Sequence, residues 1–204
     1  MQLLHKKILT TLALVLTLAA CSSTDEENEE LAIAELTEIN QQFEPQVVWS
    51  ESVGDGVEDY FSRLKPAVAY DKVFSASREG DIIAFDEKTG DKVWQIDLRI
   101  PYSGNAIFFG SDESALLSGG PVTGGRKVFV GSENGDVYAL DEATGEILWQ
   151  TKVKGEVLAA PTFESNVVLV NTVSGVLTAL DAQNGEELWK VEQDVPPLTL
   201  RGIS

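Results

Sequence analysis

Gly135-Asp-Val-Tyr-Ala-Leu-Asp141-Glu-Ala-Thr-Gly145-Glu-Ile-Leu-Trp149 occurs three times in this chain, with substitutions that preserve its shape. The other copies are Gly80-Asp-Ile-Ile-Ala-Phe-Asp86-Glu-Lys-Thr-Gly90-Asp-Lys-Val-Trp94 and Gly175-Val-Leu-Thr-Ala-Leu-Asp181-Ala-Gln-Asn-Gly185-Glu-Glu-Leu-Trp189. Each reads as strand, turn, strand. Runs such as 72–75, 81–85 and 92–96 are β-branched or aromatic and of strand length. Between them, Asp86, Asp141 and Asp181 can accept backbone N–H groups. Gly90, Gly145 and Gly185 can take the left-handed conformation that a type I turn with a bulge requires. The tryptophan four residues later then falls on an outer strand. Trp94 to Trp149 is 55 residues and Trp149 to Trp189 is 40. Units of about 40–45 residues built from short strands mark a β-propeller, whose blades bury their faces only against neighbouring blades.

Working outward, the 55-residue interval carries a 15-residue insertion between about 99 and 121, including Ile107-Phe108-Phe109-Gly110 and Leu117-Ser118-Gly119-Gly120. The stretch from Gly119-Gly120 to Gly124-Gly125 has no Gly-Lys-Ser/Thr and no strand-to-helix context, so it matches neither a Walker nor a dinucleotide loop. It reads as a flexible connection. Trp49 lies 45 residues before Trp94 and matches the outer strand of a unit whose earlier strands are missing. Repeat units are expected near 47–54, 66–98, 121–153 and 160–193, with the start of a further blade at 194–204. Trp94, Trp149 and Trp189 could form a stacking surface for a flat ligand, and the aspartates could ligate a metal. One tryptophan per blade at a fixed register favours packing between blades. Without Asp-x-Asp-x-Asp-Gly spacing, turn capping is the favoured role of the aspartates.

The N-terminus carries its own signal. Lys6 and Lys7 precede an apolar run of 11 residues, Ile8 to Leu18, too short to span a bilayer, so 1–20 reads as an export signal. Leu18-Ala19-Ala20-Cys21 resembles the bacterial lipobox. That resemblance implies cleavage before Cys21, a covalent N-acyl/S-diacylglycerol lipid on it and, with Ser22 following, outer-membrane delivery. An ordinary Ala-x-Ala cleavage beside an incidental cysteine is the alternative. Residues 22–46 contain eight carboxylates and no Lys, Arg or Gly, so 21–46 reads as an acylated cysteine followed by an acidic tether.

Charge narrows the function classes. The chain has 15 Lys+Arg against 33 Asp+Glu, a net charge of −18, and losing Lys6 and Lys7 with the signal takes it to −20. Such a surface repels nucleic acid and anionic headgroups, so the membrane is reached through lipid rather than charge. His5, Met1 and Cys21 are the sole residues of their types. After processing and acylation no imidazole base, thiol nucleophile or soft metal ligand remains.

The pattern Gly-x-x-x-Ala-Leu-Asp-x-x-Thr-Gly-x-x-x-Trp resembles the repeat of the pyrroloquinoline-quinone (PQQ) family of eight-bladed propellers. That family includes calcium-dependent quinoprotein dehydrogenases as well as cofactor-free lipoproteins. With the lipobox and acidic tether, and with Trp49-Ser-Glu-Ser-Val-Gly54, Ala115-Leu-Leu-Ser-Gly-Gly120, Val128-Phe-Val-Gly-Ser-Glu133, Trp149-Gln-Thr-Lys-Val153 and Pro197-Leu-Thr-Leu-Arg-Gly202, the chain is similar to the BamB family of outer-membrane assembly lipoproteins. The resemblance implies a non-enzymatic scaffold without a cofactor, in which Leu198, Leu200 and Arg201 bind the POTRA domains of BamA within the BAM complex. An exposed sheet edge or inter-blade groove could also hold a strand of an unfolded β-barrel client by β-augmentation. Two alternating leucines and an arginine suit an interface hot spot. By spacing alone they equally fit one face of a core strand beside a solvated arginine.

Family members are about twice this length, so an all-β arc of about 3.5 blades from a ring of eight is expected. It would carry unpaired faces and read as an incomplete product or split gene. The rival functions are a PQQ-dependent periplasmic dehydrogenase and a generic ligand-binding propeller.

Overall fold

The computed structural model describes residues 42–57, 59, 60, 62–99 and 113–192. The chain divides into two units, Met1–Pro45 and Gln46–Ser204. Cys21, Leu198, Leu200 and Arg201 lie outside the described residues, and everything below concerns the second unit.

Twelve strands form three four-stranded antiparallel sheets, and no helix occurs among the described residues. The first sheet is β1 (Ala67–Ala69), β2 (Lys72–Ala76), β3 (Asp81–Asp86) and β4 (Lys92–Asp97). The second is β5 (Leu117–Gly124), β6 (Lys127–Ser132), β7 (Asp136–Asp141) and β8 (Ile147–Lys152). The third is β9 (Thr162–Glu164), β10 (Val167–Asn171), β11 (Val176–Asp181) and β12 (Glu187–Glu192). Strands pair in chain order within each sheet, the meander of a propeller blade. The first strands of successive sheets, β1, β5 and β9, touch one another, which makes them the inner strands and β4, β8 and β12 the outer ones.

Alternation along the middle blade explains the stacking. Val128 and Val130 of β6, with Tyr138 and Leu140 of β7, pack against Phe74, Ile82, Ala84 and Trp94 of the first blade. The intervening Phe129, Val137 and Ala139 join Trp149 against Val168, Val170 and Leu180 of the third. Period-two side chains thus bury both faces, so these strands read as nearly continuous apolar runs.

Two expectations change. The segment from Gly119 to Gly124 is not a flexible connection: it belongs to the eight-residue inner strand β5, so the second blade starts at Leu117 rather than at 121. The glycines are there for closeness. A Cβ on Gly119 would overlap the Ala159 carbonyl oxygen, and one on Gly124 would enter the Phe163 ring. The segment 47–54 carries the expected tryptophan but has no strand partner among the described residues.

Candidate functional site

The recurrent turn behaves alike in all three blades. Asp86 Oδ1 accepts from the N–H groups of Lys88 and Thr89, and Asp141 Oδ1 from those of Ala143 and Thr144. Asp181 Oδ1 accepts from Gln183 N–H. Gly90, Gly145 and Gly185 donate back to the aspartate carbonyls at 2.9, 2.9 and 2.8 Å, with φ of 78°, 77° and 75°. The outer strand resumes with a bulge opposite the same point in each blade. Backbone N–H donors hold the Asp86 carboxyl below its usual range. At Asp141 burial pushes upward, but the Ala143 and Thr144 N–H groups outweigh it and the net shift is down.

Each turn is also the socket for a tryptophan from earlier in the chain, on the preceding outer strand for Trp94 and Trp149. Trp94 Nε1 donates to Glu142 O at 3.0 Å and Trp149 Nε1 to Ala182 O at 3.1 Å, both one residue past the turn aspartate. Trp49 Nε1 does the same with Glu87 O at 2.9 Å. The indoles lie so flat on Gly90, Gly145 and Gly185 that a Cβ there would meet ring carbons at 2.6–2.7 Å. Glycine is thus required twice, by its φ and by the ring above it. Trp94 and Trp149 are 8% and 7% exposed, whereas Trp189 is 45% exposed on β12.

The seams differ outside the repeat motif. Between the first two blades, Glu142 has a side chain only 1% exposed and lies between Lys72 Nζ, at 2.9 Å from Oε2, and the Arg126 guanidinium. The Arg126 contact is an ion pair on Oε1 without hydrogen-bond geometry. Arg126 N–H also donates to the Tyr70 hydroxyl at 3.1 Å. At the opposite end of this seam Arg78 clamps Glu133 at 3.1 and 2.9 Å and stacks on Tyr60, 4.0 Å from the ring centroid. The next seam is more neutral. Lys127 Nζ donates to Gln183 Oε1 at 3.0 Å, and Phe129 stacks on Phe163 with centroids 5.7 Å apart. Near the first blade, the hydrogen-bonded Arg99 guanidinium pulls the Asp97 carboxyl below its usual range. Burial pushes the Tyr138 phenol up.

Sequence reading missed the Lys72–Glu142–Arg126 and Arg78–Glu133 contacts because they fall outside the invariant positions. Superposing the repeats would have flagged Lys72 beside Lys127, both opposite the turn aspartate in register. Among the described residues no group of three or more His, Cys, Asp or Glu side chains is placed to hold a metal ion.

The family model described as "Outer membrane protein assembly factor BamB" matches residues 35–116 and 78–204. The chain belongs to the BamB family. It is 46% identical over 202 residues to the outer membrane protein assembly factor BamB of Alteromonas naphthalenivorans, covering 95% of this chain and 48% of that protein. The chain therefore spans about half the length of the curated relatives it matches. The crystal structure of BamB from Moraxella catarrhalis superposes with a TM-score of 0.53 at 24% identity, over 65% of this chain and 35% of that one. A europium-containing methanol dehydrogenase superposes with a TM-score of 0.52 at 22% identity, over 71% and 26%. Blade architecture is thus shared with an enzyme, and the fold alone assigns no function.

Proposed function

We propose that the chain is part of a non-catalytic scaffold lipoprotein of the machinery that inserts β-barrel proteins into the outer membrane. The observation carrying this reading is identity of 46% to a BamB assembly factor, extending over 95% of the chain and so beyond the blade repeats. In this reading Cys21 bears the lipid that holds the protein at the periplasmic face of the outer membrane, and no cofactor is used. Leu198, Leu200 and Arg201 contact the POTRA domains of BamA. In sequence they follow β12, which ends at Glu192. The outer strands β4, β8 and β12 expose Val93, Leu148 and Leu188 beside the tryptophans, and such edges can accept an extended strand of an unfolded barrel client.

The test is recovery of BamA from outer membranes with the full-length gene product, wild type against the triple variant Leu198→Ala/Leu200→Ala/Arg201→Ala. Recovery that the triple variant loses supports the scaffold reading and its site together. If the wild type recovers no BamA, the assignment fails and a ligand-binding propeller takes its place.

A further inference from the structure

We propose that Asn184-Gly185, in the β11–β12 turn of the third blade, is a site of spontaneous covalent modification, where the asparagine is converted to isoaspartate or aspartate and the joint with Trp149 is loosened. The inference stands on the turn alone and does not depend on the scaffold role.

The third turn departs from the other two at one chemically telling position. Thr89 and Thr144 precede the socket glycine in the first two blades, and Asn184 precedes it in the third. Each threonine hydroxyl accepts a backbone N–H two residues on, from Asp91 at 3.2 Å and from Glu146 at 3.3 Å. Asn184 Oδ1 takes over that role, accepting from Glu186 N–H at 3.0 Å. Asparagine thus keeps the cap, as its short polar side chain allows, but sets a carboxamide carbon beside a glycine nitrogen that no side chain hinders. The N–H donor on Oδ1 sits where negative charge develops when that carbon is attacked. Asn184 is exposed, so water and base reach it. This exposure belongs to the turn itself: Thr144 is exposed at the same position of the middle blade, which has a blade on each side.

The reaction needs water and nothing else. The Gly185 nitrogen gives its proton to a solvent base and attacks Asn184 Cγ, forming the N–Cγ bond of a succinimide while the Cγ–Nδ2 bond breaks and ammonia leaves. Water then adds to one ring carbonyl. Opening at Cγ restores the normal chain with aspartate, and opening at the backbone carbonyl leaves isoaspartate, with the chain routed through Cβ and Cγ. In the folded turn Gly185 N–H donates to Asp181 O at 2.8 Å, so the nitrogen is freed only when the turn opens locally, and that opening sets the rate. The product strikes the joint directly. Trp149 lies so close that a Cβ on Gly185 would meet its ring at 2.7 Å, and Thr151 Oγ1 donates to Gly185 O at 2.7 Å. A methylene added to the main chain beside Gly185 moves that glycine out of both contacts, in a seam packed too closely to absorb it. A new carboxylate also joins Asp181, Glu186 and Glu187 in the same short stretch.

Ageing the 204-residue chain in mildly alkaline and mildly acidic buffer tests this, with isoaspartate detected by methyltransferase labelling and located by tandem mass spectrometry. Cleavage after lysine separates Asn184, in 155–190, from the other Asn-Gly pair, Asn134-Gly135, in 128–152. Isoaspartate should accumulate at Asn184, faster in the alkaline buffer because the glycine nitrogen must lose its proton. Urea unfolding of the aged chain should then show a fraction, matching the isoaspartate content of 155–190, that unfolds at lower urea than the fresh chain. Asn184→Thr, which restores the residue of the other two turns, keeps Asn134-Gly135 and should lose both the label in 155–190 and the early-unfolding fraction. Absence of isoaspartate at Asn184 after alkaline ageing would overturn the proposal. So would an early-unfolding fraction that persists in Asn184→Thr, or modification of Asn184 that leaves the unfolding curve unchanged.

Discussion

Replacing Gly145 with alanine tests the double requirement placed on the turn glycines. The residue lies at φ 77°, and a Cβ there would sit 2.6 Å from Trp94 Cε3 and 2.8 Å from Cδ2. Two costs follow. Holding an L-residue in the left-handed region costs about 1–2 kcal/mol. Forcing carbon atoms from about 3.5–4.0 Å to well inside contact in a packed seam adds about 1–3 kcal/mol, because the indole is pinned by its hydrogen bond to Glu142 O. Alanine recovers about 0.4–1 kcal/mol by restricting the unfolded chain. The expected loss is therefore about 2–4 kcal/mol, measured by urea unfolding with fluorescence and far-UV circular dichroism recorded together, since repeat proteins can lose two-state behaviour. The decisive comparison is Gly145→Ala in a Trp94→Leu background, where the offending ring carbons are gone. Only the backbone cost should remain, about 1 kcal/mol, giving a coupling energy of about 1–3 kcal/mol. Equal losses in both backgrounds would refute the stacking requirement and leave the turn conformation as the whole reason for glycine.

Other perturbations separate the seams. Glu142→Ala should destabilise by about 3–5 kcal/mol by leaving Lys72 without its carboxylate in a largely closed seam. Arg126→Ala, with a side chain 71% exposed, should cost under about 1 kcal/mol in the same urea assay. Asp86 and Asp141 have folded pKa values below their unfolded value of 3.8, so the unfolded chain binds more protons as pH falls through that range. Their contribution is fully present above the unfolded pKa and is lost as pH falls through the folded one. Asp86→Asn/Asp141→Asn should flatten the acid limb of a stability-against-pH curve below about pH 4, and an unchanged limb would exclude these carboxylates as its source. Gly119→Ala places a Cβ against the Ala159 carbonyl, which as backbone cannot rotate away, and should cost about 3 kcal/mol. A change within about 0.5 kcal/mol, usual for an exposed connection, would restore the flexible reading of that stretch.

How legible each feature was in the sequence depends on what kind of constraint it imposes. Strands such as Asp81–Asp86 and Asp136–Asp141 were visible because burying both faces demands unbroken β-branched and aromatic runs. The turn was visible because its backbone geometry demands aspartate and glycine at fixed offsets. Two features hid. The β1–β2 and β9–β10 hairpins turn through Tyr70-Asp71 at φ 56° and 57° and Ser165-Asn166 at φ 48° and 66°, left-handed pairs with no glycine to announce them. Here tertiary packing holds residues that local preference alone would place elsewhere. Gly119 and Gly124 misled for the opposite reason. Glycine is required there by the approach of Ala159 and Phe163 from the next blade, which is invisible along the chain.

The same distinction explains why residues peculiar to one seam or segment are harder to read than the blades. Blade residues repeat because each seam solves the same packing problem, and three solutions at one register make the pattern self-evident. Residues that distinguish one seam from another cannot repeat. Glu142 has a glutamate counterpart in Glu87 and an alanine in Ala182, and Arg126 corresponds to Asp71 and Asn166. Those substitutions convert a common scaffold into an ion-locked joint between the first two blades, a hydrogen-bonded and aromatic one between the next two, and one at Gly90 closed by the Trp49 indole on Glu87 O. The proposed docking segment Leu198-Thr-Leu200-Arg201 belongs to the same class: it occurs once, so periodicity cannot reveal it. For this chain the repeats therefore establish the platform, while the departures from the repeat determine how each joint is held.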